Sequence, residues 1–319
     1  MLDPNHKFLA LLDDRIVTFL RNSLAFIIKT LRKLTIPGTG KMPVFDVVVF
    51  FVKGLRQGRL TLRASSISFD FFLALFPTII FFFTVIPFVP ITGFQDELLH
   101  FLEDVIPATL WIHVSETLED IITQPRSDLL SLGFILALYF STNGVNSIME
   151  GFNSSYHVTE TRSFVKQRLI SLFLVLVQSV MVILAISLFV VGGRILQFFV
   201  MQGILTNHLT ITIIQIVRWL MIIGLFIFSI SFLYYFAPAK KKEYKFFSLG
   251  SMFTSGMMIL TTYGFNFYIE NFNRYNALYG SIGTLLVFLL WVYFNSIILL
   301  IGFELNISIR NAKKKFINA

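Results

Sequence analysis

Three ionisable residues, Asp70, Arg218 and Glu304, lie inside or at the end of runs that are otherwise apolar. In hydrocarbon an ionised side chain costs about 2.5–3.5 kcal/mol on insertion scales, so such residues are default candidates for binding a charged substrate, relaying a proton or pairing with an opposite charge. The amides Asn143, Asn146, Gln178, Asn266 and Asn295 lie in similar runs. Intramembrane carboxylates can do acid and base chemistry, yet the usual catalytic machinery is absent. The chain has no Cys, no G-x-x-x-x-G-K-[ST] phosphate loop and no H-E-x-x-H, and His6, His100, His113, His157 and His208 are scattered without metal-ligand spacing. The expectation is a protein without catalytic residues, bound metal or cofactor, and not an enzyme.

Those residues need elements that a bilayer can hold. Of the 319 residues, 55% are hydrophobic, 14% are charged and 38 are Phe, well outside the range of soluble enzymes. Apolar runs of spanning length occur at Ile67–Val89, Leu129–Ile148, Leu169–Val191, Ile211–Phe236, Phe247–Ile269 and Ile282–Phe303. The expected fold is all-α: a polytopic membrane protein with six transmembrane helices, together with interfacial and extracytoplasmic short helices. Pro77 and Pro87 should kink or break the first span, because each removes a backbone donor and crowds the preceding turn. The net charge of +8 does not point to nucleic acid, since the basic residues sit at the ends of apolar runs and not along one surface.

Orientation follows from Lys and Arg. With six spans, 22 of the 26 basic residues fall in segments on the side of the two termini, three (Arg126, Arg194 and Arg274) fall on the other, and Arg218 is within a span. The positive-inside rule then places both termini in the cytoplasm. Asp70 lies on the order of 5 Å into the first span at 1.5 Å per residue, and Glu304 closes the last. Asn143, Asn146 and Glu150 end the second span on the same side, where Arg168 opens the third. A substrate cavity facing the cytoplasm would need such a polar level, and Asp70, Asn143, Asn146, Glu150, Arg168 and Glu304 are its candidate lining. The alternative is that Asp70 and Glu304 pair with Arg63 or Arg168 to lock helix ends. Arg218, deeper and nearer the outer side, is expected to pair with Glu270 or to reach outward.

Three organisational units result. Residues 1–66 form a cytoplasmic N-terminal region whose Val44–Leu62 stretch suits an amphipathic helix at the headgroups. Residues 67–309 form the membrane domain, in which 90–128 is an extracytoplasmic helical loop with eight acids and one Arg. Residues 310–319 are a basic cytoplasmic tail. In the outer turn before the last span, Asn271 to Gly283 is dense in Asn, Tyr and Gly, and Gly280 and Gly283 permit a tight turn or close helix approach.

The chain resembles the YihY/BrkB family of bacterial inner-membrane proteins, once labelled ribonuclease BN-like. Three stretches carry the resemblance: Ala64 to Pro77, with Phe72-Leu73-Ala74-Leu75-Phe76-Pro77; Asn143-Gly144-Val145-Asn146 to Asn153; and Tyr275 to Asn306, with Tyr279-Gly280-Ser281-Ile282-Gly283 and Gly302-Phe303-Glu304-Leu305-Asn306. Asp70 departs from the tyrosine or serine expected near that position in relatives. The resemblance implies six helices in the bacterial inner membrane and transport-like roles, with the ribonuclease label a mistaken one. The functional expectation is a multi-pass permease or flippase-like transporter of an amphipathic or lipid-like substrate. The competing expectation is a non-transporting scaffold for envelope proteins. Membrane lipids and possible envelope proteins are the expected partners, with no nucleic acid.

Overall fold

The computed structural model describes residues 43–57, 60–88, 95–96, 99–100, 103, 115–116, 118–120, 122–155, 160–205, 207–239, 246–271 and 281–317. The expectations for residues 1–42, for most of the loop 90–128, for the turn at 272–280 with Gly280, and for 318–319 lie outside them.

The described residues form seven long helices: α1 (Val44–Gln57), α2 (Leu60–Val85), α3 (Ser127–Ser155), α4 (Phe164–Met201), α5 (His208–Phe236), α6 (Leu249–Asn271) and α7 (Ser281–Ile317). Among the described residues five stretches are long and apolar enough to cross a membrane: Leu60–Phe88, α3, α4, α5 and Leu285–Lys313 of α7. The run Phe247–Ile269, also expected to span, forms α6, a helix of 23 residues. Ser251, Thr254, Ser255, Thr261, Thr262 and Asn266 dilute its hydropathy, and it is not among the five. Lipid is the natural solvent of this surface: only 6% of the most apolar window of α4 is buried against protein.

The chain divides into two compact units, Leu60–Leu300 and a second made of the segments before Leu60 and after Leu300. In the second unit, Val47 of α1 packs on Ala312 of α7, flanked by Phe50, Leu305 and Ile309. Val48, Val49 and Val52 stay exposed on the other side of α1, so the helix has two apolar aspects. The inner one serves the protein, and the outer one suits a headgroup region.

Within the unit Leu60–Leu300, α2 and α3 approach most closely. Gly133, Gly144 and Gly151 of α3 are eleven and seven residues apart, near three and two full turns, and so share one face. A Cβ on Gly133 would lie 3.2 Å from the backbone nitrogen of Phe81, and one on Gly151 would lie 3.0 Å from Leu300 Cδ2. Small residues in membranes permit this proximity, since packing replaces the hydrophobic effect as the source of helix association. Gly133→Leu is therefore expected to lower stability by about 2 kcal/mol through overpacking against backbone, with Gly133→Ala far milder; thermal unfolding in detergent checks both.

Proline behaves differently at its two positions. α2 continues through Pro77, which is buried, while Thr78 Oγ1 donates to the Ala74 carbonyl at 2.6 Å. Irregularity comes instead at Ile86–Phe88, a 3-10 turn that contains Pro87. The other end of α3 is capped by charge: Arg63 Nη1 donates to Gly151 O and to Ser155 Oγ, both at 2.7 Å, placing a cation on the negative end of the helix dipole.

Candidate functional site

Four of the six residues expected at a polar level, Asp70, Asn143, Asn146 and Arg168, take part in helix-to-helix pairs. Asp70 on α2 accepts a hydrogen bond from Ser147 on α3. Asn143 on α3 accepts from Arg168 Nη1 on α4 at 2.6 Å, and the same guanidinium lies 4.9 Å from the centre of the Tyr139 ring, within cation–π range. One turn on, Asn146 Oδ1 accepts from Ser171 of α4, whose hydroxyl also faces Gln167 O at 3.0 Å. Tyr139, Asn143 and Asn146 recur at i, i+4 and i+7, one stripe of α3 turned to α4. Glu150, the next member of that spacing, is exposed. Glu304 belongs to the other compact unit; it is buried, and its carbonyl accepts from Ser308 Oγ at 2.8 Å. Gly283 is helical, within α7.

A second polar cluster was not anticipated. Glu160 and Arg162, in the short connection between α3 and α4, form a two-pronged pair, with Nε to Oε1 and Nη2 to Oε2 both at 2.6 Å. Asn153 Nδ2 donates to Glu160 Oε2 at 2.7 Å. Arg162 Nη2 also reaches Ala237 O at 3.0 Å, and the Ala239 N–H donates to Asn153 Oδ1 at 2.9 Å. The cluster ties the α3–α4 connection to the end of α5. Hydrogen bonds from the Arg162 side chain, opposed by partial burial, hold the Glu160 carboxyl below its usual range. An acid and a base two residues apart just past Asn153 were the available signal; in sequence they look like an ordinary solvated loop.

Between the helices lies a cavity of about 650 Å³, inside the size range of small-molecule sites. All six helices from α2 to α7 contribute to its wall, among them Ile67 and Phe71 of α2, Ile148 of α3, Ala185 of α4, Trp219 of α5 and Trp291 of α7. Few polar groups reach the wall, and the hydroxyls of Thr262, Ser296 and Ser229 are already engaged. Thr262 Oγ1 donates to Met258 O at 2.9 Å and Ser296 Oγ to Val292 O at 2.8 Å, each within its own helix. Ser229 is paired with Gln178, whose Nε2 donates to the Ser229 carbonyl at 3.1 Å. Asn295 also lines the wall and donates Nδ2 to Trp291 O at 2.8 Å. The cavity opens sideways, since its wall residues Val182, Trp219 and Tyr263 are 55%, 46% and 70% exposed.

None of Asp70, Asn143, Asn146, Glu150, Arg168 and Glu304 is on this wall. Asp70 and Ser147 adjoin it, being the chain neighbours of Phe71 and Ile148, so the α2–α3 polar pair marks the level of one part of the rim. Chemically the site is an apolar hollow bordered by bonded polar pairs, suited to holding hydrocarbon. Among the described residues no three His, Asp or Glu side chains gather as a metal would require. Arg218 lies against Gly192 and Gly193 of α4; the side chain of Glu270, its expected partner, lies outside the described residues.

Comparison with known proteins gives a consistent family. A family model described as virulence factor BrkB matches residues 51–318. The chain is similar to a putative ribonuclease-like protein YfkH of Bacillus subtilis (strain 168), 32% identical over 256 residues that cover 79% of this chain and 90% of the relative. It is also similar to a UPF0761 membrane protein of Photobacterium profundum, 24% identical over 275 residues covering 84% and 82% of the two chains. A UPF0761 membrane protein of Alteromonas mediterranea is 20% identical over 270 residues, or 84% and 88% of the two. No solved structure matches the chain.

Proposed function

This chain belongs to the virulence factor BrkB family, and we propose that it is a permease or flippase-like protein that takes the apolar part of an amphipathic, lipid-like substrate into its lateral cavity. One observation carries the reading: a hollow of about 650 Å³ with an apolar wall, open toward the lipid-facing surface. A polar solute would find almost no free donors or acceptors there, and burying its polar groups unpaired is costly. Hydrocarbon gives up nothing on entry, and a side opening lets it come directly from the bilayer.

In this reading the chain crosses the bacterial inner membrane six times, α6 included, with both termini in the cytoplasm. The distribution of Lys and Arg supports that orientation. The polar pairs Asp70–Ser147, Asn143–Arg168 and Asn146–Ser171 then lie toward the cytoplasmic side, where a headgroup passing the rim meets them, with Glu150 at the same end of α3. The substrate path uses no catalytic residue, metal or cofactor, and the ribonuclease-like name of the Bacillus relative describes that relative alone.

The test is reconstitution of the purified protein into liposomes containing a trace of fluorescent phospholipid. The fraction of label reached by an added membrane-impermeant reductant should rise beyond the outer-leaflet half within minutes, and remain at half in protein-free vesicles. No excess over protein-free vesicles, together with co-purifying envelope proteins, would instead identify a scaffold.

A further inference from the structure

We infer that Arg218 holds the anionic, phosphate-bearing headgroup of an amphipathic ligand whose tail fills the lateral cavity, an assignment that rests on the reading of that cavity given above. Arg218 lies ten residues into α5, about 15 Å along the helix at 1.5 Å per residue, and is the one charge in that helix. Its Nε is buried and has no hydrogen-bond partner among the described residues. An arginine keeps its charge inside proteins, so at this depth it needs an anion.

The surroundings shape a seat for the side chain. A Cβ on Gly193 would lie 2.9 Å from Arg218 Nη1, and one on Gly192 would lie 3.4 Å from its Cδ. Only a pair without side chains lets the arginine lie along α4 here. The seat is continuous with the cavity: Arg218, Ile222, Leu225 and Ser229 follow one stripe of α5 at i, i+4, i+7 and i+11, and the last three line the wall. On α4 the wall residue Ala185 precedes Gly192 by seven residues, two turns along the same face. Trp219, beside Arg218, is itself on the wall. A guanidinium at the end of an apolar hollow matches an amphipathic anion end for end, and its planar fork suits two phosphate oxygens at once.

The experiment offers the detergent-solubilised full chain equal amounts of phosphatidylglycerol and phosphatidylcholine with identical acyl chains, and counts retained lipid by native mass spectrometry. Wild type should keep phosphatidylglycerol about fivefold or more over phosphatidylcholine, the size that one charge-assisted bond supplies. Arg218→Gln should bring the ratio near one while lipid is still retained, and Gly193→Leu, which pushes the guanidinium aside, should do the same. Because the readout is a ratio within one sample, reduced yield of a variant does not mimic it. Glu270→Gln should leave the preference in place, and excess glycerol 3-phosphate should not displace the lipid.

A preference that survives Arg218→Gln, or a wild-type ratio of one with lipid bound, would overturn the assignment and leave the cavity reading standing. A preference that appears only in Glu270→Gln would show that Arg218 serves an internal ion pair, and displacement by glycerol 3-phosphate would show that it reads a free phosphate. Either result overturns the assignment. Retention of no lipid by any form would remove the cavity reading itself.

Discussion

Replacing Arg162 by alanine is expected to lower the unfolding free energy by about 2–3 kcal/mol, somewhat under the cost of breaking a fully buried ion pair because Glu160 keeps some contact with water. The Arg162 side chain is 8% exposed and that of Glu160 is 19% exposed, so the substitution strands a carboxylate that water reaches poorly. It also removes a donor from the Ala237 carbonyl, loosening the end of α5 from the α3–α4 connection. Thermal unfolding in detergent measures the loss. Arg162→Lys should recover only part of it, because an ammonium cannot repeat the two parallel bonds.

Proton linkage gives the same cluster a second signature. The folded-state value for Glu160 is lowered from an ordinary 4.5, so its stabilising contribution is fully present above that ordinary value. It is lost as pH falls through the lowered folded value. Between pH 7 and pH 3 the wild type should therefore lose more stability than Glu160→Gln, which has no carboxylate to protonate. Equal losses in the two would mean that the carboxylate is not held in its charged form by Arg162.

Filling the cavity is expected to have the largest effect on activity. Ala185→Trp places an indole into a hollow of about 650 Å³ without forcing backbone apart, and should cut the leaflet exchange of labelled phospholipid by at least about tenfold, the reach of one well-placed steric change in an apolar site. Stability should hold or rise, since added apolar contacts replace empty space. Ile183→Trp is the control: Ile183 is on the same helix but 62% exposed, so the same bulk points into lipid and exchange should be unchanged. A similar drop in both variants would trace the effect to α4 in general and not to the cavity.

The positions of the long helices were legible in the sequence, but their ends were not. The apolar run Leu169–Val191 lies inside a helix that extends over Phe164–Met201, because hydropathy registers the part that meets hydrocarbon and backbone hydrogen bonding continues beyond it. The start of α4 is set by Ser163, whose side chain accepts from the Lys166 N–H, a local signal outside the apolar run. Likewise the last run, Ile282–Phe303, is only part of Ser281–Ile317. α6 shows the converse, a helix found where expected but with enough Ser and Thr to weaken its apolar signature.

For the site, cost made some residues visible and left others hidden. Asp70, Asn143 and Asn146 stood out because polar groups in apolar runs are expensive, and Arg168 because it opens the third run at the same level; the structure places all four at helix contacts. Their partners Ser147 and Ser171 did not stand out, since a hydroxyl can satisfy itself on its own helix and leaves no deficit to read. The cavity wall was invisible for a related reason. Ile67, Phe71 and Ala185 are the same residue types as the lipid-facing positions around them, and only three-dimensional placement tells a hollow from a surface. Gly192 and Gly193 gained meaning in the same way, once Arg218 was seen lying across them.

If the chain moves lipid, a lipid-like molecule occupies this hollow. The most direct measurement is native mass spectrometry of the full chain extracted with its own membrane lipids, wild type beside Ala185→Trp. Wild type should carry one amphipathic molecule through delipidation, and Ala185→Trp should have lost it while its bulk lipid is unchanged. Identical lipid complements in the two proteins, or no tightly held molecule in either, would contradict it.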